Sequence, residues 1–399
     1  MPKISIIFPI ANAYNSMRHR LKQAIPDQTF TDFQVQLIDH GAASEQISAL
    51  CQKAAAEDRR FRYHRLPRRE SFRVAYKKGF FESLDCQYLT YTYYRVAWHP
   101  TYLERCLGAL QARPEAAAAY TFNHMTHDDG SLPSSGPGLP PLPEGHEFDL
   151  SADEPAERFL RIIAHPELYR AFFGLMRLEH ILEKPNYLHQ ASSGDCSMFL
   201  GALSLNHPLV RLEEPLWDLQ VGPNGLGSAL FWGRLWPGIS SPNRPHNYNL
   251  AHYLNYLKGL MHLISLSSLT PSAKDELCAR TARTFLELYR PAIEKILGQT
   301  LETMERADIR QAFQGQSLPW GQYLGLDREV LVNALSSLSY AKNFLPEFPG
   351  LNLGLARCFM QLGQRPETEL ALAEELVRDP NHPQALALKN GLSSASGME

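Results

Sequence analysis

Two short runs rich in β-branched and aromatic residues, separated by one amphipathic stretch, limit what this chain can fold into. Ile4-Ser5-Ile6-Ile7-Phe8 ends at Pro9, and Phe33-Gln34-Val35-Gln36-Leu37-Ile38 ends at Asp39-His40-Gly41. Branched and aromatic side chains fit a pleated strand, whereas proline, glycine and aspartate interrupt one. Residues 16–24 between the runs are amphipathic and long enough for a crossover helix. Strand, helix and strand in that order form a parallel pair, because the helix must return the chain to the same edge of the sheet, and it does so with a right-handed crossover. The cycle repeats with a helix over 44–58, a strand over 61–66, a helix over 71–84 and a strand over 87–93. A proline opens the next helix, 100–112, in the first turn where no N–H is needed, and 116–123 is strand-like. Residues 1–125 thus predict an α/β fold, an open sheet flanked by helices that takes ligands beyond the carboxyl ends of its strands.

Farther along, 130–145 is rich in Pro, Gly and Ser without hydrophobic periodicity, so 126–150 is expected to be a loop. A helical and mixed pattern resumes over 153–186, 195–203 reads as a short helix, and from 251 onward the pattern is nearly all helical, with 273–297 bent or divided at Pro291. The expected organisation is 1–125, a loop over 126–150, a second half over 151–245, a helical domain over 246–345 and a helical hairpin with a tail over 346–399. In that last segment Leu355-Ala356-Arg357-Cys358-Phe359-Met360-Gln361-Leu362-Gly363 is followed by Leu370, Ala373, Leu376 and Asp379-Pro380. The spacing resembles one tetratricopeptide repeat, in which glycine opens the turn between two antiparallel helices. An ordinary terminal hairpin is the other reading, because roughly three repeats are needed for a self-standing solenoid.

With 44% hydrophobic and 20% charged residues in 399, the chain can bury a large core, which excludes disorder, collagen-like repeats and a small disulfide-stapled fold. Its 39 basic and 42 acidic residues leave a net charge of −3, which argues against a whole-surface nucleic-acid or membrane binder while allowing a local basic groove. The six cysteines are far apart, with no CxxC pair and no zinc-like Cys/His spacing, and read as reduced core thiols. The amino terminus reads as a buried strand and not as a signal peptide. The longest apolar stretch, 257–269, is interrupted by Lys258 and His262, so no transmembrane segment is expected and a cytoplasmic location is.

The N-terminal half resembles a family-2 glycosyltransferase of the GT-A fold, which transfers a sugar from a nucleotide-diphosphate donor. Ile6-Ile7-Phe8-Pro9 with Asn12 matches the opening strand and Pro-x-Tyr-Asn turn, with Ala11 in place of the tyrosine. Gln28-Thr29-Phe30-Thr31-Asp32-Phe33 matches the approach to the second strand, Leu37-Ile38-Asp39-His40-Gly41-Ala42 the Asp-Asp-Gly-Ser turn, and Trp98-His99-Pro100 with Tyr102-Leu103 the helix after the metal site. The resemblance implies that Asp39 accepts a hydrogen bond from the donor base; a strand-end turn residue is its other reading. It also implies that Asp195, in Ser193-Gly194-Asp195-Cys196, is the base that deprotonates the acceptor hydroxyl, although Gly194 replaces the preceding glutamate; a helix N-cap is the alternative.

The family's metal-binding Asp-x-Asp falls on Tyr93-Tyr94-Arg95, and its distal Arg-x-His on Gln220 and Gly222. Mg²⁺ and Mn²⁺ need hard carboxylate oxygens, which neither a phenol nor a guanidinium supplies, so no divalent metal is expected. Two readings result. In one, Arg95 pairs bidentately with the diphosphate in place of the metal. In the other, catalysis has been lost and the fold serves as a binding or scaffold module, with 251–392 as its partner surface. The expected site comprises Asp195 as base and Pro9, Asn12, Asp39, Arg73, Lys77, Tyr93 and Arg95 around the donor. The acceptor would be a glycan, a lipid-linked sugar or a protein.

Other constellations are less telling. Arg59, Arg60, Arg62, Arg65, Arg68, Arg69, Arg73, Lys77 and Lys78 form a dense basic run, which reads as a solvated face over 59–65 and as nearer the donor over 68–73. His124-x-x-His127-Asp128-Asp129-Gly130 has nominal ligand types but reads as a hairpin turn, and the glycine-rich 222–227 as a loop over the cleft.

Overall fold

The computed structural model of the chain describes residues 3–10, 13–41, 43–70, 72–127, 149–152, 154–183, 195–221, 250–312, 334–335, 338–339, 341–342 and 345–395. Eight strands form one sheet in the order β3-β2-β1-β4-β7-β6-β8-β5. They are β1 (Ile4–Pro9), β2 (Phe33–Asp39), β3 (Phe61–Arg65), β4 (Tyr88–Tyr91), β5 (Val96–Trp98), β6 (Ala118–His127), β7 (Leu175–Arg177) and β8 (Leu209–Val221). β1 pairs in parallel with β2 and β4, and β2 with β3. Every residue of β1 and β2 is buried, as parallel strands covered on both faces require. β7 runs antiparallel to both β4 and β6, β6 is parallel to β8, and β5 is antiparallel to β8. The carboxyl ends of β1 to β4 therefore share one edge, and β6 and β8 point the same way. The expected open α/β sheet is present. Its two three-residue strands, β5 and β7, are too short to register in a period-two pattern.

Between β1 and β2 the expected crossover helix is α1 (Tyr14–His19), continued by a π turn, Arg20–Ala24. A π turn inserts one extra residue and so rotates the helix face beyond it, and it recurs at functional sites. α2 (Glu45–Glu57) is capped by Ser44, whose Oγ accepts the Ile47 N–H at 3.4 Å. α3 (Phe72–Phe81) lies so close to β1 that a Cβ on Gly79 would meet the Ile7 side chain. α4 (Tyr102–Ala112) buries Tyr102, Leu103, Cys106, Leu107 and Leu110, one stripe at helical spacing. α5 (Pro155–Ala164) leads into a 3-10 turn (Pro166–Phe173); α6 (Leu178–Leu182) follows β7, and α7 (Asp195–Asn206) precedes β8.

The chain divides into two compact units, 1–241 with 258–285 and 242–257 with 286–399. The helices of the C-terminal part are α8 (Leu250–Leu266), α9 (Pro271–Ala312), α10 (Leu351–Gln361), α11 (Arg365–Arg378) and α12 (Pro383–Ala395). α9 carries Pro291 inside it without being divided there. α10 and α11 are joined through Gly363, which takes a left-handed φ of 73° that a side chain would oppose. No described helix is long and apolar enough to cross a membrane.

The entry to β7 sets a testable limit on packing. Gly174 sits where an added Cβ would lie 2.5 Å from the Ala119 carbonyl oxygen and 3.0 Å from the Tyr120 Cβ, whereas Gly108 on α4 has nothing within 4 Å. Gly174→Ala is expected to lower unfolding free energy by about 1–3 kcal/mol. Gly108→Ala should instead raise it by up to about 1 kcal/mol through helix propensity alone. Urea denaturation of the two variants checks both signs.

Candidate functional site

The carboxyl edge of β1 to β4 gathers most of the residues expected around the donor. Asp39 closes β2 and is completely buried. Its Oδ1 accepts the Gly41 N–H at 2.9 Å and the Ala43 N–H at 3.4 Å. Its Oδ2 accepts the Ser48 hydroxyl of α2 at 3.1 Å and the Tyr63 hydroxyl of β3 at 2.7 Å, with Arg65 Nε 3.8 Å away. A carboxylate offers about four lone-pair directions, and all are engaged by the protein. A base N–H reaching Asp39 must therefore displace a partner. The turn itself is tight: Gly41 has φ +78°, and a Cβ there would lie 2.5 Å from the Arg68 carbonyl oxygen. Glu70 N–H donates to the His40 carbonyl at 2.8 Å, which brings the exposed Arg68 and Arg69 to this edge.

The basic run is thus split between two edges. At the opposite, amino edge Arg60 is bound to Asp58 at 2.7–3.1 Å and lies 4.6 Å over the Phe33 ring, beside a cavity of about 630 Å³ lined by Asp58, Arg59, Arg60 and Arg62.

The Tyr93-Tyr94-Arg95 turn links β4 to β5. Tyr93 is 5% exposed and packs on Phe173 at a ring separation of 5.3 Å. Half-buried Arg95 donates from Nε to the Tyr94 hydroxyl at 3.0 Å. Beneath the turn lies Arg20, from the π turn. It is 1% exposed; its Nε donates to the Tyr94 carbonyl at 3.3 Å, and its Nη1 and Nη2 have no hydrogen-bond partner among the described residues. Burial pulls this guanidinium down to about 10, and Asp218 of β8 opposes that shift by favouring the charge. Arg20 is absent from the residues expected on sequence grounds, although the signal exists: Met17, Arg20, Leu21 and Ala24 share one helical face, so an arginine stands in an apolar stripe.

An aromatic wall backs the same edge. Tyr91, the last residue of β4, stacks on Phe172 at 4.5 Å and meets Tyr76 of α3 edge-on at 5.2 Å; Phe199 of α7 stands 5.7 Å from Phe172. Burial pushes the Tyr76 and Tyr91 phenols well above the usual tyrosine range, and the nearby Cys196 thiol adds to it. Cys196 follows Asp195, the first residue of α7, so this helix begins at the wall.

Of the other expected residues, Pro9 ends β1 and is buried, Lys77 is half-buried on α3, and Arg73 lies in the first turn of α3. Asn12 lies outside the described residues, as do Gly194, Gly222, the loop 222–227 and the 128–130 turn. Gln220 belongs to β8.

No family model and no curated protein sequence matches the chain. Among solved structures, S. aureus TarS 1-349 aligns with a TM-score of 0.53 at 11% identity, over 95% of this chain and 92% of that one. The same fragment in complex with UDP-GlcNAc gives 0.53 at 11% identity, with the same coverage. A second crystal structure of S. aureus TarS gives 0.52 at 12% identity, over 92% of this chain and 54% of that one. Such identities speak to fold alone. The chain has the GT-A-like α/β fold of glycosyltransferases, a mixed sheet flanked by helices and followed by a helical region.

Proposed function

We propose that the chain is a family-2-like glycosyltransferase that binds a nucleotide-sugar at the carboxyl edge of β1 to β4 and meets its diphosphate with guanidinium groups in place of a divalent metal. The observation that carries this reading is the Tyr93-Tyr94-Arg95 turn with Arg20 beneath it: two arginines at the end of β4, one of them with two unpartnered nitrogens among the described residues. A guanidinium keeps its charge and presents a fork that fits phosphate oxygens. At 1% exposure the field of Arg20 is screened less than in water.

In the reaction, an acceptor hydroxyl loses its proton to Asp195 as its oxygen attacks the anomeric carbon. The bond from that carbon to the diphosphate oxygen breaks, and the nucleoside diphosphate leaves with its added negative charge facing Arg95. Configuration inverts. The crystal structures of TarS 1-349 with UDP and with UDP-GlcNAc make a uridine donor the first to test. The acceptor is a glycan, a lipid-linked sugar or a protein, and the paired helices α10 and α11 are a tetratricopeptide-like surface for a protein partner.

A second reading has its own support. Tyr93 is packed in the core and the Asp39 oxygens are all engaged, as expected of a transferase fold retained for binding without turnover.

Calorimetry with UDP-GlcNAc in chelator-treated buffer is expected to give saturable binding that added Mn²⁺ leaves within about twofold, and Arg95→Ala should weaken it at least tenfold, about 1.4 kcal/mol. No heat with UDP-, GDP- or dTDP-sugars removes the donor reading altogether. For turnover, Asp195→Asn should keep donor affinity while cutting transfer or donor hydrolysis by roughly 10²–10⁴. Binding without measurable turnover in the unaltered chain selects the second reading.

A further inference from the structure

The amino edge of the sheet, opposite the donor cleft, holds a group of side chains that the proposed reaction does not use. β7 enters at the carboxyl edge and leaves at the amino edge, where α6 and Glu183 follow it. His207 stands just after α7 and just before β8 begins at that same edge. His180 Nδ1 lies 2.9 Å from Glu183 Oε1, and His207 Nε2 lies 3.0 Å from Glu183 Oε2. One ligand-type atom from each residue falls within 4.8 Å of the others, and this is the one such group of three found among the described residues. The two imidazole rings face each other at 3.9 Å with a 32° tilt.

Burial distinguishes this group from an ordinary surface ion pair. The histidine side chains are only 15% and 17% exposed, while Glu183, at 49%, leaves an approach from water. His180 Nε2 is buried without a hydrogen-bond partner among the described residues.

We propose that His180, Glu183 and His207 form a binding site for a borderline transition cation, Zn²⁺ foremost. Two imidazoles and a carboxylate suit zinc, nickel or copper and not magnesium or calcium. Zinc bonds of about 2.0–2.2 Å in a tetrahedron put ligand atoms about 3.3 Å apart; the 2.9 and 3.0 Å contacts, one to each Glu183 oxygen, open slightly, and the other ligand separations, within 4.8 Å, close by small side-chain rotations. Water fills the fourth position.

The ion's role is structural. It ties two points 24 residues apart and so closes the chain segment that carries α7, with Asp195 at its first position. A crosslink of this kind stabilises chiefly by restricting the unfolded chain. The site is independent of the donor reading, because it lies at the opposite edge from Asp39 and Arg95.

The test is titration of chelator-treated full-length chain with Zn²⁺ by calorimetry and with Co²⁺ by visible absorption, using Glu183→Gln, His207→Gln and His180→Gln. Glutamine retains hydrogen bonding in each case, and circular dichroism with thermal melts establishes which variants fold. The expected result is one tight equivalent, tetrahedral Co²⁺ bands, a melting temperature raised by Zn²⁺, no competition from Mg²⁺, and affinity weakened more than about a hundredfold in the folded variants, beyond what losing an outer partner costs. The chain has 15 histidines, so weak background binding is subtracted as whatever the variants retain. Absence of a tight equivalent overturns the proposal, as does a tight equivalent that survives in every folded variant.

Discussion

A carboxylate removed from water must have its oxygens met from within, and the completely buried Asp39 shows how much of the fold this requirement organises. Two backbone amides of the following turn, a hydroxyl from α2 and a phenol from β3 all converge on one side chain. These donors come from three separate stretches of chain, so the group fixes where β2 stops, how α2 starts and how β3 lies beside it. The left-handed Gly41 and its close approach to the Arg68 carbonyl belong to the same geometry. Removing one member leaves the others buried without partners, which costs more than the bond itself contributes. These bonds tie the turn after β2, α2 and β3 together at the carboxyl edge.

Two buried charges of opposite sign stand at that edge and are handled differently. Asp39 is satisfied by hydrogen bonds, whereas Arg20 keeps two guanidinium nitrogens without a partner among the described residues and has its proton affinity reduced by burial. The π turn that carries Arg20 and the Tyr94 carbonyl that holds its Nε set it below the β4–β5 turn. A cation held out of water draws an anion more strongly than one in water. In the proposed reading that asymmetry, a fully hydrogen-bonded anion and an under-satisfied cation at one edge, favours a diphosphate there in a chain whose overall charge is slightly negative.

The parts of this architecture legible in sequence are those governed by periodicity. β1 is a nearly continuous apolar run and β2 interleaves apolar residues with the buried Gln34 and Gln36, both strands being covered on their two faces, and α2 and α4 carry one buried stripe each. β5 and β7 are not legible, since three residues make no pattern, and the sheet's change of direction is hidden with them. At the site, Asp39 and the Tyr93–Arg95 turn are readable from their place after strands, but the sequence leaves open whether Asp39 serves the turn or a ligand. Arg20 announces itself only as an arginine on an apolar helix face. The His180, Glu183 and His207 group is invisible, because 24 residues separate its halves and the sheet topology alone brings them together.

The central claim is electrostatic: guanidinium groups, without a bound cation, face the donor's leaving group. Anomalous diffraction at the manganese edge, from crystals of the chain grown with UDP and Mn²⁺, tests it most directly. The account predicts a diphosphate within hydrogen-bond distance of Arg95 and no manganese peak at the Tyr93-Tyr94-Arg95 turn. A peak bridging the diphosphate to Asp218 or another carboxylate there, or UDP absent from this edge, would contradict it.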